Sequence, residues 1–209
     1  MQQKLFADHM DRAIFEDINL TDGQLRLYPS FIASDESSSA LTQIIESTPW
    51  RQDDIVIAGQ RLPIPRLQCW MGEPEAVYAY SGIELAPVNW SSPVSELRNR
   101  LLACTELSFN SVLINYYRDG RDSVAWHADD EPELGPRPII ASISLGAERP
   151  FVLRHKRSGE RHKLILPHGS LLLMLENTQQ HWQHQLPKVS RLDQARINLT
   201  FRQLQTIHG

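Results

Sequence analysis

His127 and Asp129 stand two residues apart in Val124-Ala125-Trp126-His127-Ala128-Asp129-Asp130-Glu131. On an extended strand that spacing puts an imidazole and a carboxylate on one face, converging on a single point where a divalent metal can sit. An isolated His-x-Asp also occurs on surface strands and turns, so a third ligand from elsewhere has to complete the set. His181-Trp182-Gln183-His184 offers two histidines for that place, and spacing alone leaves both open. Two imidazoles and one carboxylate form the facial set that suits non-haem iron(II), with coordination positions left for a cosubstrate and oxygen. Upstream, Asn115 and Tyr117 repeat the spacing of two and can line the same cavity. Near the C-terminus, Arg196, Asn198, Thr200 and Arg202 fall on one face of an alternating segment and Ile197, Leu199 and Phe201 on the other. A half-buried strand with a polar outer face gives this pattern. So does a strand whose arginines point inward, where a guanidinium fork binds a carboxylate through two parallel hydrogen bonds.

The elements that must position these groups are mostly strands. From Ser111 onward the pattern predicts strands at Val112–Tyr117, Val124–His127, Ile139–Leu145, Phe151–His155, Lys163–Leu166, Ser170–Leu175 and Ile197–Gln203, with Arg157-Ser158-Gly159-Glu160 as a hairpin turn. Short strands separated by turn signals fit a double-sheet jelly roll and not an alternating helix and strand fold. Before them, a strand is expected at Gln24–Tyr28. A helix capped by Ser34 carries Leu41, Ile44 and Ile45 as its apolar stripe and stops before Pro49. A second helix, with Ser92 as cap and Pro93 in its first turn, carries Val94, Leu97, Leu101 and Cys104. Residues 53–80 read as extended and turn-rich. The expected fold is mainly β (α+β), a double-stranded β-helix or jelly roll with flanking N-terminal helices. Residues 1–20 are expected to be a loosely held arm and 21–209 a single domain, with its jelly-roll core at about 110–205.

With 209 residues, 41% hydrophobic and 22% charged, the chain has the balance of an ordinary soluble globule. No apolar run approaches the roughly 20 residues of a membrane helix and the N-terminus lacks a signal-peptide core, so no membrane association and a cytoplasmic location are expected. Cys69 and Cys104, far apart, predict neither a disulfide framework nor a zinc site. The formal charge of -4 argues against indiscriminate nucleic-acid binding. Locally the balance reverses: between Glu148 and Lys163, Arg149, Arg154, Lys156, Arg157, Arg161 and Lys163 face only Glu148 and Glu160. Such a stripe matches phosphate contacts or a solvated hairpin. His9, His155, His162 and His208 read as surface residues or phosphate contacts, and His168 as a structural residue in a turn.

From about Trp50 to Leu204 the chain resembles the AlkB-type iron(II) and 2-oxoglutarate dependent dioxygenases. The resemblance is carried by Pro65-Arg66-Leu67, Tyr78-Ala79-Tyr80-Ser81-Gly82, Asn115-Tyr116-Tyr117, His127-Ala128-Asp129-Asp130-Glu131, Trp182-Gln183-His184 and the segment from Arg196 to Arg202. Each is weak alone, and together in this order they are highly specific. Trp126-His127-Ala128-Asp129-Asp130-Glu131-Pro132 and Trp182-Gln183-His184 are similar to the branch acting on single-stranded DNA and RNA.

The resemblance implies that His127, Asp129 and His184 bind Fe(II). It selects His184 over His181 because the family's ligand directly follows Trp-Gln, twelve residues before the first arginine. It implies that Asn115, Tyr117, Arg196 and Arg202 hold 2-oxoglutarate beside Asn198 and Thr200, with Arg202 on the distal carboxylate and Arg196 nearer the metal. O2 is the second cosubstrate. The keto acid is then decarboxylated to succinate and carbon dioxide, the N-methyl group of a damaged base is hydroxylated, and the hemiaminal falls apart to formaldehyde and repaired base.

A substrate-recognition region is implied at about 50–90, where Tyr78 and Tyr80 share a strand face and stack on a base, with Arg66 near the active site. Bases such as 1-methyladenine and 3-methylcytosine are cationic, so Asp130 and Glu131 favour them by charge. The expected partner is therefore nucleic acid, single-stranded DNA or RNA preferred, bound by a monomer. Competing readings keep the chemistry but change the substrate to a protein or small molecule, make the chain a metal-binding module without activity, or use the triad in a cupin-type isomerase or hydrolase. Only the dioxygenase needs the metal triad and the keto-acid arginines together.

Overall fold

The computed structural model describes residues 14–57, 59–76, 78–80 and 83–205, with the side chains of 57 and 78–85 outside the description. Two strands, β1 (Glu16–Leu20) and β2 (Gly23–Tyr28), lead into helix α1 (Ser34–Ser47). Two hairpins follow, β3 (Asp54–Ile57) with β4 (Gln60–Pro63) and β6 (Tyr78–Tyr80) with β7 (Ile83–Leu85), on either side of β5 (Leu67–Gly72). Helix α2 (Ser92–Thr105) precedes β8 (Ser111–Tyr117), β9 (Val124–His127), β10 (Ile140–Gly146), β11 (Arg149–His155), β12 (Arg161–Leu166) and β13 (Ser170–Leu175). A single helical turn, α3 (Thr178–His181), then leads into β14 (Trp182–Leu186), and β15 (Arg196–Arg202) closes the fold.

These strands build an antiparallel seven-stranded sheet in the order β1-β2-β13-β10-β15-β8-β5 and a four-stranded sheet in the order β12-β11-β14-β9. The expected jelly roll is the fold observed. Alternation along the central strands divides the interior in two. Val112 and Ile114 of β8 and Ile197, Leu199 and Phe201 of β15 pack with Ile44 of α1 and Val94, Leu97 and Leu101 of α2. The opposite face of the large sheet offers Trp70, Leu113, Ile140, Leu172 and Met174 to Phe151, Leu153, Leu166 and Trp182 of the small one. Ile197, Leu199 and Phe201 are fully buried, and each such side chain contributes roughly 1.5–3 kcal/mol of transfer free energy. The same strand therefore lies sealed on its apolar side and turns its polar residues toward the space between the sheets.

Several expectations change. Within the supposed arm, Glu16–Leu20 is a paired strand, tied to β2 by Asp17 accepting from Arg26 Nε at 2.6 Å and Nη2 at 3.0 Å; residues 1–13 lie outside the described residues. Ser34 is the first helical residue and not the cap, which is Ala33. Ser92 likewise lies inside α2, after Ser91, and its hydroxyl bonds Glu96 at 3.1 Å. The segment read as merely extended contains β5, whose partner β8 satisfies its backbone, and two hairpins. Strand β14 was not expected because glutamine flanks its inward Trp182, His184 and Leu186, so the alternation is carried by three residues only.

Candidate active site

The cavity lies between the sheets and is lined by β8, β10, β13 and β15 from one side and by β9, β11 and β14 from the other. Strands β9 and β14 are neighbours, and their register sets His127 opposite His184, ring centroids 4.3 Å apart. Asp129 follows β9 and brings its Oδ2 to 3.7 Å from His184 Nε2. One donor atom from each of the three residues lies within 4.8 Å of the others.

Chemistry and burial fit this set to a divalent metal. His127 Nδ1 is 2.8 Å from the Ala125 carbonyl, so that nitrogen carries the proton and Nε2 carries the lone pair. Burial pushes the His184 ring down to about 3 and lowers His127 too, so both are neutral, as ligation requires. Burial alone raises the Asp129 carboxyl, but the adjoining Arg202 guanidinium outweighs it and holds the group ionised. Its Oδ1 accepts from Arg202 Nη2 at 2.6 Å, while its buried Oδ2 has no hydrogen-bond partner among the described residues and faces the histidines. A carboxylate oxygen beside two unprotonated imidazoles is an arrangement a cation completes.

His181 goes elsewhere. Its ring stacks on His155, 6.0 Å away, beside Asp22, whose Oδ2 is 3.4 Å from His155 Nε2. His155 Nδ1 accepts the Ser158 amide at 3.0 Å, which leaves the proton on Nε2 and no lone pair there for a metal. His155, expected at the surface, is buried, because β11 turns it inward between Asp22 and Trp182.

All six residues expected at the cosubstrate site line the cavity, but the two arginines exchange places. Arg202, expected on a distal carboxylate, contacts the metal-ligand candidate Asp129. Arg196, expected nearer the metal, lies at the other end, donating to Ser144 Oγ at 2.9 Å with its guanidinium 5.4 Å from the centre of the Tyr117 ring. The reason is direction: β15 pairs with β8 so that Arg196 meets Tyr117 and Arg202 meets Ser111. Arg196 is buried without a carboxylate among the described residues, and burial pushes its guanidinium down to about 10. Asn198 Nδ2 donates to Ser142 Oγ at 2.7 Å and the Ile143 carbonyl at 3.1 Å, and the Thr200 hydroxyl donates to Asn198 Oδ1 at 3.0 Å. Ser142 and Ser144, missed from sequence, were signalled by the Ser-x-Ser alternation against Ile143 in β10.

Arg66 is buried in the wall between this cavity and an outer groove and donates from Nε to Asn115 Oδ1 at 2.8 Å. The groove carries Trp126, Asp130, Glu131 and Lys188. Tyr78 and Tyr80 are backbone positions of β6 whose side chains lie outside the described residues. The basic stripe divides. Arg149 is buried and donates to the Asp119, Asp122 and Pro187 carbonyls at 3.2, 2.9 and 2.7 Å, so it is a clamp and not a phosphate contact. Arg157, Arg161 and Lys163 are exposed, and Arg154 lies over the Trp126 ring at 4.5 Å.

A family model described as the 2OG-Fe(II) oxygenase superfamily matches residues 24–202. The chain belongs to this superfamily. Within it the chain is of the AlkB type. It is 43% identical over 186 residues to the alpha-ketoglutarate-dependent dioxygenase alkB homolog 3 of Mus musculus, covering 84% of this chain and 64% of that protein. It is 38% identical over 179 residues to the DNA oxidative demethylase ALKBH2 of Mus musculus, covering 82% and 75%. The chain thus spans just under two thirds of the length of its homolog 3 relatives. The solved structure of OsALKBH1 matches with a TM-score of 0.61 at 18% identity, over 90% of this chain and all of that one, a likeness of fold. Superfamily membership implies Fe(II), 2-oxoglutarate and O2, and the His127, Asp129 and His184 donor set fits the iron.

Proposed function

We propose that this oxygenase demethylates N-alkylated nucleobases of the 1-methyladenine and 3-methylcytosine type in DNA or RNA, with single strands preferred. The observation that carries the reading is the pairing of the buried triad with a buried guanidinium, Arg196, that has no carboxylate of its own among the described residues. An uncompensated buried cation costs several kcal/mol, and a dianionic keto acid offsets it. By this reading Arg196 receives the distal carboxylate, beside Tyr117. Asn115, whose Oδ1 is occupied by Arg66, offers its Nδ2 to the cosubstrate. Asn198 and Thr200 spend their hydrogen bonds on the wall and shape the cavity. When bound, Fe(II) couples decarboxylation of the keto acid by O2 to hydroxylation of the methyl group.

The substrate is read from the groove. Asp130 and Glu131 line it close to His127; Asp130 is paired with Lys156, so Glu131 is the carboxylate that favours a cationic base over a neutral one. Arg154, Arg161 and Lys163 lie on the outward face of the small sheet, where they meet phosphates, and Tyr78 and Tyr80 are assigned to base stacking. The relatives' names, a DNA oxidative demethylase among them, support the same chemistry. Strand preference rests on the sequence Ile57-Ala58-Gly59 that joins the segments of β3 and β4, which has no aromatic residue to fill the gap left when a base is extruded from a duplex.

The test supplies Fe(II), 2-oxoglutarate and oligonucleotides bearing 1-methyladenine, single-stranded and paired, at one stated salt concentration, and measures formaldehyde and base identity. Faster repair of the single strand, with duplex activity gained by Ala58→Phe, is expected. Equal or faster repair of the duplex sinks the strand preference, and no formaldehyde from either substrate sinks the substrate class.

A further inference from the structure

Gln179 is a buried polar residue of α3, five positions before His184. Its Oε1 accepts the backbone N–H of Asp129 at 2.9 Å. Its Nε2 donates to Met174 Sδ at 3.3 Å, which fixes the amide so that oxygen, not nitrogen, faces Asp129. Its own carbonyl accepts from Lys156 Nζ at 2.8 Å, and the same ammonium pairs with Asp130 Oδ2 at 2.8 Å. The Asp129 amide is thereby tied to the chain that carries His184.

We infer that Gln179 is a positioning residue for the metal centre, holding Asp129 in register with His184. This rests on the assignment of His127, Asp129 and His184 as the iron ligands. Asp129 lies beyond the end of β9, so no ladder bond fixes its backbone. Arg202 holds its carboxylate and Gln179 holds its main-chain amide. Removing such outer partners typically weakens metal binding about 10- to 100-fold, because the ligand set must be reordered when the ion binds. The neighbour Thr178 provides the control. Its hydroxyl anchors α3 to Gln24 of β2, at 3.0 Å to the carbonyl and 3.1 Å from the amide, and touches none of the ligands.

The experiment titrates metal-free protein with Co(II), reading affinity and the visible absorption spectrum, with thermal unfolding of each metal-free variant alongside. Gln179→Met is expected to bind about 10- to 100-fold more weakly with an altered spectrum, Gln179→Glu, which keeps an oxygen acceptor, to stay within a few-fold of the parent, and Thr178→Val to unfold at lower temperature with affinity and spectrum intact. Parent-like binding by Gln179→Met, or equal losses in Thr178→Val, overturns the inference and leaves the triad standing. Should Gln179→Met fail to fold, a loss of affinity in folded Gln179→Glu overturns it and retention supports it. Undiminished binding by His184→Ala removes the triad itself, and the role of Gln179 falls with it.

Discussion

Arg202 Nη2 lies 2.6 Å from Asp129 Oδ1, and both residues are buried. One carboxylate oxygen is therefore held by a guanidinium while the other, Oδ2, faces His184 at 3.7 Å. The pair commits Arg202 to the candidate metal ligand Asp129 and leaves Arg196 as the buried cation at the far end of the cavity. Removing one partner of a buried pair strands the other charge, at a cost of about 3–5 kcal/mol. Arg202→Met is accordingly expected to destabilise the metal-free protein and, because the Asp129 carboxylate is no longer held in orientation, to weaken metal binding and turnover. Metal titration of the folded variant checks this, and parent-like affinity with only a raised 2-oxoglutarate requirement would return Arg202 to the role first expected of it.

Arg196→Met is expected to do the converse, raising the 2-oxoglutarate requirement with metal affinity preserved. Truncating one side of a buried charge pair costs about 2–5 kcal/mol, so the requirement should rise at least about thirty-fold. Rates measured across a 2-oxoglutarate series at saturating Fe(II) decide it. An unchanged requirement excludes Arg196 as the anchor.

His127→Ala, Asp129→Ala and His184→Ala are each expected to abolish turnover in folded protein, whereas His181→Ala keeps most of it, because His181 stacks on His155 outside the ligand set. Formaldehyde release and circular dichroism on the same samples separate chemistry from folding. Loss of activity in His181→Ala alone would reverse the choice between the two histidines.

Arg149→Met is expected to destabilise the protein by about 3 kcal/mol or more. It strips hydrogen bonds from the buried Asp122 carbonyl and the half-buried Asp119 and Pro187 carbonyls, and an unsatisfied group costs roughly 1–3 kcal/mol where it is buried. Urea unfolding gives the value. A change within about 0.5 kcal/mol would mark these carbonyls as hydrated and Arg149 as dispensable.

Cys69 is expected to resist alkylation in the native state. Burial pushes its thiol up to about 11, so at pH 8 only about one molecule in a thousand carries the thiolate that reacts, and the side chain itself is 2% exposed. Cys104 is only half-buried and should label first. Iodoacetamide labelling followed by peptide mass analysis distinguishes them, and equal rates for the two thiols would show that the β5 edge opens readily.

Much of the site was legible in the chain because strand alternation is a local property. The spacing of His127 and Asp129, of Asn115 and Tyr117, and of the four polar residues from Arg196 to Arg202 says which side chains share a face, whatever the rest of the molecule does. It does not say which face is covered. For β15 that depended on β10 and β8 pairing with both of its edges and on α1 and α2 sealing its apolar side. With both faces buried, the polar one becomes the wall of a cavity and not a wetted surface.

Three further choices lay beyond local pattern for the same reason. The antiparallel register of β15 on β8 carries Arg202 to Asp129 and Arg196 to Tyr117, the reverse of the order expected. Pairing of β14 with β9 brings His184 to His127, while α3 turns His181 toward His155. Folding of β11 against its neighbours draws Arg149 and His155 out of an apparently continuous basic stripe and into the interior. Residue types determined the available chemistry. Which of those residues meet was decided by contacts between segments distant in sequence, because only they fix register and remove water from one face.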